Sequence, residues 1–343
     1  MVRRSRWVPA VIATMLLALP ACGGGGAAGD DVDESALVVY SGRQEQLVQP
    51  LVDRFVAETG IEVSVRYGNT AQLAAQLLEE GEGTPADVFF SQDGGALGAL
   101  AKTDRLATLP QPVLDLVPER YRADDGTWVG TSGRARVIVY DPDQVPEAEV
   151  PDSAFALTDP RWRGKVGIAP SNASFEAFVT AMRVLDGDDR TREWLAGMRA
   201  NDVALFDNNI LVLNATEDGL IALGLINHYY WYQQVAEEGE AAVPARLKFL
   251  PDGDPGALVN VAGAAVLAES DKAQQAERFV AFLLDEESQR FFSDEDKEYP
   301  VVEGVPTAPD LPPLESLQPP DIDLSDLDSL ERTLQMIEEA GLT

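Results

Sequence analysis

Histidine and cysteine are almost missing: His228 and Cys22 are the only residues of each type among 343. A single imidazole leaves little room for a Ser-His-Asp or Cys-His hydrolase, and no serine lies in a G-x-S-x-G elbow. One thiol excludes disulfides within the chain and zinc sites built on several cysteines. There is also no H-E-x-x-H, no Walker-A loop and no G-x-G-x-x-G after a strand, which removes the corresponding zinc, nucleotide and dinucleotide chemistries. Basic residues are scarce too: 26 Lys and Arg face 58 Asp and Glu, a formal charge of -32. Such a surface repels the phosphates of nucleic acid and the headgroups of anionic lipid, so neither is an expected partner. The same abundance of acids makes any carboxylate pair of the glycosidase kind uninformative. No catalytic residue is identified, and an extracytoplasmic enzyme is the weaker reading.

Long hydrophobic runs are lacking as well, since none approaches the roughly 20 residues of a membrane-spanning helix. The longest, 7–21, follows Arg3, Arg4 and Arg6 and stops at Cys22 before four glycines, so residues 1–21 read as an export signal. Leu19-Pro20-Ala21-Cys22 looks like a bacterial lipobox, which makes Cys22 the expected lipidation site; two acyl chains anchor stably where one does not. Residues 22–36, Gly-rich and then acidic, read as a flexible tether. The chain is thus expected to be extracytoplasmic, monomeric and held to the bacterial cell membrane by lipid alone.

What is present is an αβ alternation. Strand signals at 37–40, 61–67 and 86–90 interleave with helical patterns over 44–59, 70–80 and 95–102; Leu47, Leu51 and Phe55 share one face of the first, and Gly60 stops it. This βαβαβ run predicts a mainly parallel sheet with helices on both faces and ligands beyond the strand ends, at 41–45 and 91–94. A long strand over 134–140 leaves this lobe, a second αβ series fills 165–226, and an apolar strand at 259–267 crosses back. The expected fold is therefore α/β and two-lobed, like a type II periplasmic binding protein. Its first lobe comprises 37–136 and 262–343, its second 137–261, with crossing strands as the hinge. The Pro-rich, acidic tail beyond 306 reads as a wrapping segment that ends in one amphipathic helix. No period of 20–50 residues recurs, which excludes a solenoid or propeller.

The most telling stretch is Asn227-His228-Tyr229-Tyr230-Trp231-Tyr232, at a strand-to-helix junction. Phenolate oxygen is a hard donor suited to Fe³⁺. Consecutive helical residues point about 100° apart, so adjacent phenols converge on one ion only at a helix start. By themselves these aromatics serve equally to cap a core.

The other segments weigh in here. Val39-Tyr40-Ser41-Gly42-Arg43, Pro85-Ala86-Asp87-Val88-Phe89, Ser132-Gly133-Arg134-Ala135-Arg136-Val137, Trp162-Arg163-Gly164-Lys165-Val166-Gly167 and Glu298-Tyr299-Pro300-Val301, with the aromatic hexapeptide, resemble in order and spacing the ferric-iron-binding solute receptors of bacterial ABC importers. The resemblance covers most of 37–340. It implies a cleft that closes on Fe³⁺ and a partner permease driven by a cytoplasmic ATPase, with Tyr229 and Tyr230 as ligands and Trp231 and Tyr232 as packing. It also implies a synergistic anion, phosphate or carbonate. The anion site falls on Asn172, Ala173 and Ser174 at a helix start, with Asn209 and Asn227 nearby.

In one subgroup of that family the first lobe supplies a histidine and a glutamate, at positions that are Gln44 and Gln92 here. Neutral amides are poor ligands for Fe³⁺. Glu45 and Asp93 stand beside them, either as substitutes or as helix N-terminal acids. Tyr40 is a further candidate or a core residue. Another subgroup's third tyrosine falls in the loop Ser171-Asn172-Ala173-Ser174-Phe175, which has none. Arg43 is expected to face the cleft and bind the anion bidentately, with Arg134 and Arg136 as weaker candidates. The alternative reading keeps the fold and changes the cargo to thiamine, a polyamine, a phosphonate or a sugar.

Overall fold

The computed structural model describes Val32–Thr343 apart from position 252. The export signal, Cys22 and most of the tether lie outside the described residues.

In the first lobe, β1 (Leu37–Ser41), β2 (Val63–Tyr67) and β3 (Val88–Ser91) run parallel in the order β2-β1-β3. Their crossovers carry α1 (Glu45–Thr59) and α2 (Thr70–Glu80), and α3 (Gly94–Ala101) follows β3. β1 and β3 are buried along their whole length, as strands covered on both faces must be, which is why they read as unbroken apolar runs. α1 stops because Gly60 takes the left-handed conformation, φ +69°. A short helix, α4 (Gln111–Leu114), leads into β4 (Val129–Tyr140), whose twelve residues are all buried.

The second lobe is built from β5 (Val166–Ile168), α5 (Ala173–Asp186), α6 (Asp188–Ala200), β6 (Ala204–Leu205), α7 (Asn209–Glu217), β7 (Leu223–Asn227), α8 (His228–Glu238) and β8 (Arg246–Lys248). The chain then returns through β9 (Val259–Val266) to α9 (Ala273–Leu283), α10 (Glu286–Asp294) and β10 (Tyr299–Pro300). All ten strands join one sheet, with the path β2-β1-β3-β9-β4-β7-β5-β6 and with β8 and β10 on β4. The outer strands are parallel; the middle is antiparallel because β4 and β9 run in opposite directions between the lobes. β4 pairs with β9 as far as Ala135↔Val259 and with β7 from Arg136↔Asn227. The hinge therefore lies between Ala135 and Arg136, stitched to the returning chain by Arg136 N–H donating to Leu258 O at 2.9 Å.

The tail departs from expectation. Its 3₁₀ turn Leu324–Asp328 packs on α3 in the first lobe, but the last helix, α11 (Leu330–Glu339), docks on α5 and α6 of the second. Met336, Ile337 and Leu342 join that lobe's core with Phe178, Trp194 and Met198. The amphipathic period that marks α11 says that one face is buried, not which lobe buries it. No helix among the described residues is long and apolar enough to cross a membrane.

Candidate functional site

Four loops, each following the carboxyl end of a parallel or crossing strand, meet at a cavity of about 570 Å³. From the first lobe come Gly42 and Gln44 after β1, and Gln92 and Asp93 after β3; from the second come Asn172–Ser174 after β5 and Asn227, Tyr229 and Tyr230 after β7. Arg134, Arg136 and Asn260 line its floor from the hinge strands.

Asn227 sits in extended conformation as the residue before α8, so Tyr229 and Tyr230 fall in that helix's first turn. Their rings lie 4.2 Å apart, tilted by 31°. The Tyr229 phenol is held well above its usual range, first by burial and then by Tyr230, with Arg134 pulling the other way. Only a strong local positive charge would make it a phenolate at neutral pH, and a trivalent metal ion is such a charge. Behind it His228 is fully buried. Its Nδ1 accepts from Ala135 N–H at 3.2 Å, its ring stacks on Tyr299 at 4.6 Å, and burial lowers its pKa to about 4, so it is a neutral packing group. Trp231 donates to Ala245 O at 2.8 Å, and Tyr232 is buried against Trp231.

Opposite the phenols, Asn172 caps α5 by accepting from Ser174 N–H at 3.1 Å and Ser174 Oγ at 2.7 Å. Ser174 Oγ in turn accepts from Arg136 Nη1 at 3.0 Å and Asn209 Nδ2 at 2.9 Å. Arg136 is 2% exposed and its Nη2 donates to Leu225 O at 3.0 Å, yet among the described residues no carboxylate lies within ion-pair reach of it. Burial pushes its pKa down to about 9, against the attraction of Tyr230 and Tyr229. A buried guanidinium without a carboxylate partner therefore lines the cavity.

The family model for bacterial extracellular solute-binding proteins matches residues 83–326. The chain is 34% identical over 310 residues to the Fe(3+)-binding periplasmic protein of Serratia marcescens, across 90% of this chain and 91% of that one. It is 35% identical over 311 residues to the major ferric iron-binding protein of Neisseria meningitidis serogroup B, across 89% and 93%. The chain belongs to the bacterial extracellular solute-binding proteins. Among solved structures, iron-bound HitA from Pseudomonas aeruginosa superposes with a TM-score of 0.83 at 36% identity, covering 90% of this chain and 99% of that one. A Trichodesmium protein in complex with iron and citrate gives 0.79 at 27% identity, covering 90% and 100%. The resemblance read from the motifs therefore stands, as does the two-lobed type II fold.

Several residues of this solute-binding protein are not where the sequence suggested. Arg43 does not face the cleft: it is 1% exposed, and its Nη1 bonds Glu298 at 2.9 Å and Ser132 at 3.1 Å while Nη2 reaches Asp296 at 3.4 Å. Two acids far along the chain capture it, so it is not free for an anion. Tyr40 takes the core position that was its other reading: it is wholly buried, donating to Glu80 at 3.1 Å and accepting from Arg66 at 3.3 Å, away from the cavity. Glu45 is exposed in a shallow groove with Gln49 and Asp53, outside the cleft. Asn209 is buried behind the anion loop, donating to Asn172 Oδ1 at 3.1 Å as well as to Ser174; it positions the loop and does not line the cavity.

Gln92 lines the cavity, with its carbonyl taken by Arg134 Nη2. Asp93 Oδ1 caps α3 by accepting from Ala96 N–H at 3.0 Å, and burial raises its pKa. Three contributors were not read from the sequence. Asn260 accepts from Gly94 N–H at 3.3 Å and lines the floor; Gln233, one turn after Tyr229, donates to Asp296 O at 2.9 Å between the lobes; Glu298 holds Arg43. Their roles leave no local pattern, because their polar partners lie 63 to 255 positions away along the chain.

Proposed function

We propose that this chain captures Fe³⁺ together with a small oxyanion in the interlobe cavity and passes both to a membrane permease driven by a cytoplasmic ATPase. The observation that supports this reading best is the conjunction of two adjacent phenols and a buried guanidinium without a carboxylate partner, lining the same cavity. Tyr229 and Tyr230 supply the metal's phenolates. Arg136, the Ala173 amide at the start of α5 and the Asn227 side chain hold the anion, whose own oxygens complete the metal's coordination. The loop hydroxyl of Ser174 orients Arg136, and Arg134 screens the anion's second charge.

From the first lobe the cavity receives the amides of Gln44 and Gln92 and two carboxylates, Glu295 and Asp93, of which Asp93 spends one oxygen capping α3. A cavity of about 570 Å³ has room for a polycarboxylate such as citrate as readily as for phosphate or carbonate. Iron binds first on the second-lobe side, and closure of the first lobe shifts an existing open-closed population. The receptor acts outside the cytoplasm, anchored through Cys22.

Calorimetric titration tests both parts. Fe³⁺ supplied with citrate or phosphate is expected to bind at one site, whereas thiamine, polyamines, phosphonates and sugars give no heat. Arg136→Gln is expected to weaken iron binding about 10- to 100-fold in the presence of either anion, the loss of a charge-assisted contact, and to abolish the difference between the two anions. Tight binding of one of the other solutes, with iron silent, would overturn the reading.

A further inference from the structure

β4 and β9 are hydrogen-bonded neighbours and together form one flexible joint, yet the lobes are joined a third time by the tail. The turn Leu324–Asp328 lies directly on the backbone of α3. A Cβ on Gly98 would stand 2.2 Å from Ser325 O, and one on Gly95 2.4 Å from Leu327 O, so only glycine permits this approach. Leu324 and Leu327 are buried in the first-lobe core, Trp128 Nε1 donates to Ser325 Oγ at 3.3 Å, and Lys102 Nζ bonds Asp326 at 3.3 Å and Asp328 at 3.1 Å.

One residue later α11 is fixed to the other lobe. The Thr180 and Thr333 hydroxyls, both fully buried, lie 2.7 Å apart; Arg183 Nη1 donates to Ser329 O at 2.8 Å, Ser329 Oγ at 3.1 Å and Thr333 Oγ1 at 3.0 Å; Arg332 pairs with Asp188 at 3.1 Å. Ser329 already belongs to the second dock through Arg183, so the Asp328–Ser329 link alone joins the two. One residue spans at most about 3.6 Å, so this link has no slack.

The helices it ties are two of the four that carry cleft residues at their N-terminal ends: α3 is capped by Asp93 and α5 by Asn172. We propose that residues 324–342 are an inextensible strap, a third interlobe crossing pivoting at Ser329, that restricts the range of opening and twisting left by the two hinge strands. A two-strand joint bends and twists; a third tie leaves mainly rotation about the line joining it to the joint. The inference does not depend on the identity of the cargo.

The test lengthens the strap without removing a contact. Gly-Gly-Ser is inserted between Asp328 and Ser329 in the full chain carrying Cys22→Ser, with spin labels at Glu82→Cys in the first lobe and Arg163→Cys in the second, both exposed positions. The spacer adds about 10 Å of reach. The interlobe distance distribution of the cargo-free chain is expected to broaden by several ångströms and Fe³⁺ release to a chelator to accelerate several-fold. The same spacer after Gly304, in an exposed loop of the first lobe, changes neither. Thr333→Val, which loosens one dock, moves both readouts the same way by less, and gives the answer should the insertion unfold the chain. A distribution and release rate unchanged in a folded insertion variant and in Thr333→Val, or an equal response to the Gly304 spacer, would overturn the proposal.

Discussion

Tyr229→Phe and Tyr230→Phe are each expected to lower the affinity for Fe³⁺ by at least about 100-fold, a loss of about 2.7 kcal/mol or more. The change removes one oxygen and keeps the ring, so the stacked pair at 4.2 Å and the core beneath it persist. Melting temperature should move little, because the Tyr229 hydroxyl is neutral without metal and its burial stabilises nothing that phenylalanine cannot. The metal loses an anionic donor; among the described residues no three His, Cys, Asp or Glu side chains cluster to hold a metal in its place. Trp231→Phe and Tyr232→Phe leave affinity unchanged, since those rings pack inward. Competition with a chelator of known affinity reads all four variants, and equal affinity in wild type and both tyrosine variants would move the metal elsewhere.

The largest effect on stability falls at Glu298. Its carboxylate and the Arg43 guanidinium are both almost fully buried at 2.9 Å, with Ser132 bonded to the same carboxylate oxygen. Removing one partner of such a pair strands the other charge and costs about 3–5 kcal/mol. Glu298→Ala leaves Arg43 only its longer contact to Asp296 at 3.4 Å and should lower Tm by roughly 10 °C in a chain of this size. Burial alone would raise the Glu298 pKa, but Arg43 and Arg134 and the hydrogen bonds from Arg43 and Ser132 hold it below the usual carboxylate range. A carboxyl depressed in the folded state contributes stability that is complete above its unfolded pKa, about 4.3, and is lost as pH falls through the folded value. Wild type should thus destabilise more steeply than Glu298→Ala below about pH 4.3, checked by thermal melts across that range. A Glu298→Ala melt within a degree or two of wild type would show that the pair is not the support it resembles.

Local signals made the framework legible. The strands β1, β3 and β9 are buried on both faces and read as apolar runs, whereas β4 was legible only from 134 because Thr131, Ser132 and its glycines break the pattern before that; Gly60 marks the end of α1; the αβ alternation implies a parallel sheet whose strand ends carry the site. Tyr229 and Tyr230 were legible as ligands only beside the other ordered motifs, since by themselves aromatics at a helix start serve equally to cap a core. What failed depended on partners distant in sequence. Arg43 follows a strand end, where a cleft-facing arginine is a fair expectation, but Glu298 and Asp296 take it 255 and 253 positions later. Arg136 looked the weaker anion candidate for the converse reason: nothing near it in sequence reveals that no acid reaches it. The tail was misassigned because an amphipathic helix records the existence of a buried face and not its host.

The central claim is that two phenolates hold ferric iron in this cavity, and the visible absorption spectrum during Fe³⁺ titration tests it most directly. Addition of Fe³⁺ with citrate or phosphate to the wild-type chain is expected to raise a phenolate-to-iron charge-transfer band that saturates at one equivalent, weakens and shifts in Tyr229→Phe and in Tyr230→Phe, and vanishes when both are replaced. A wild-type chain that binds iron without such a band, or a band untouched by the double substitution, would contradict it.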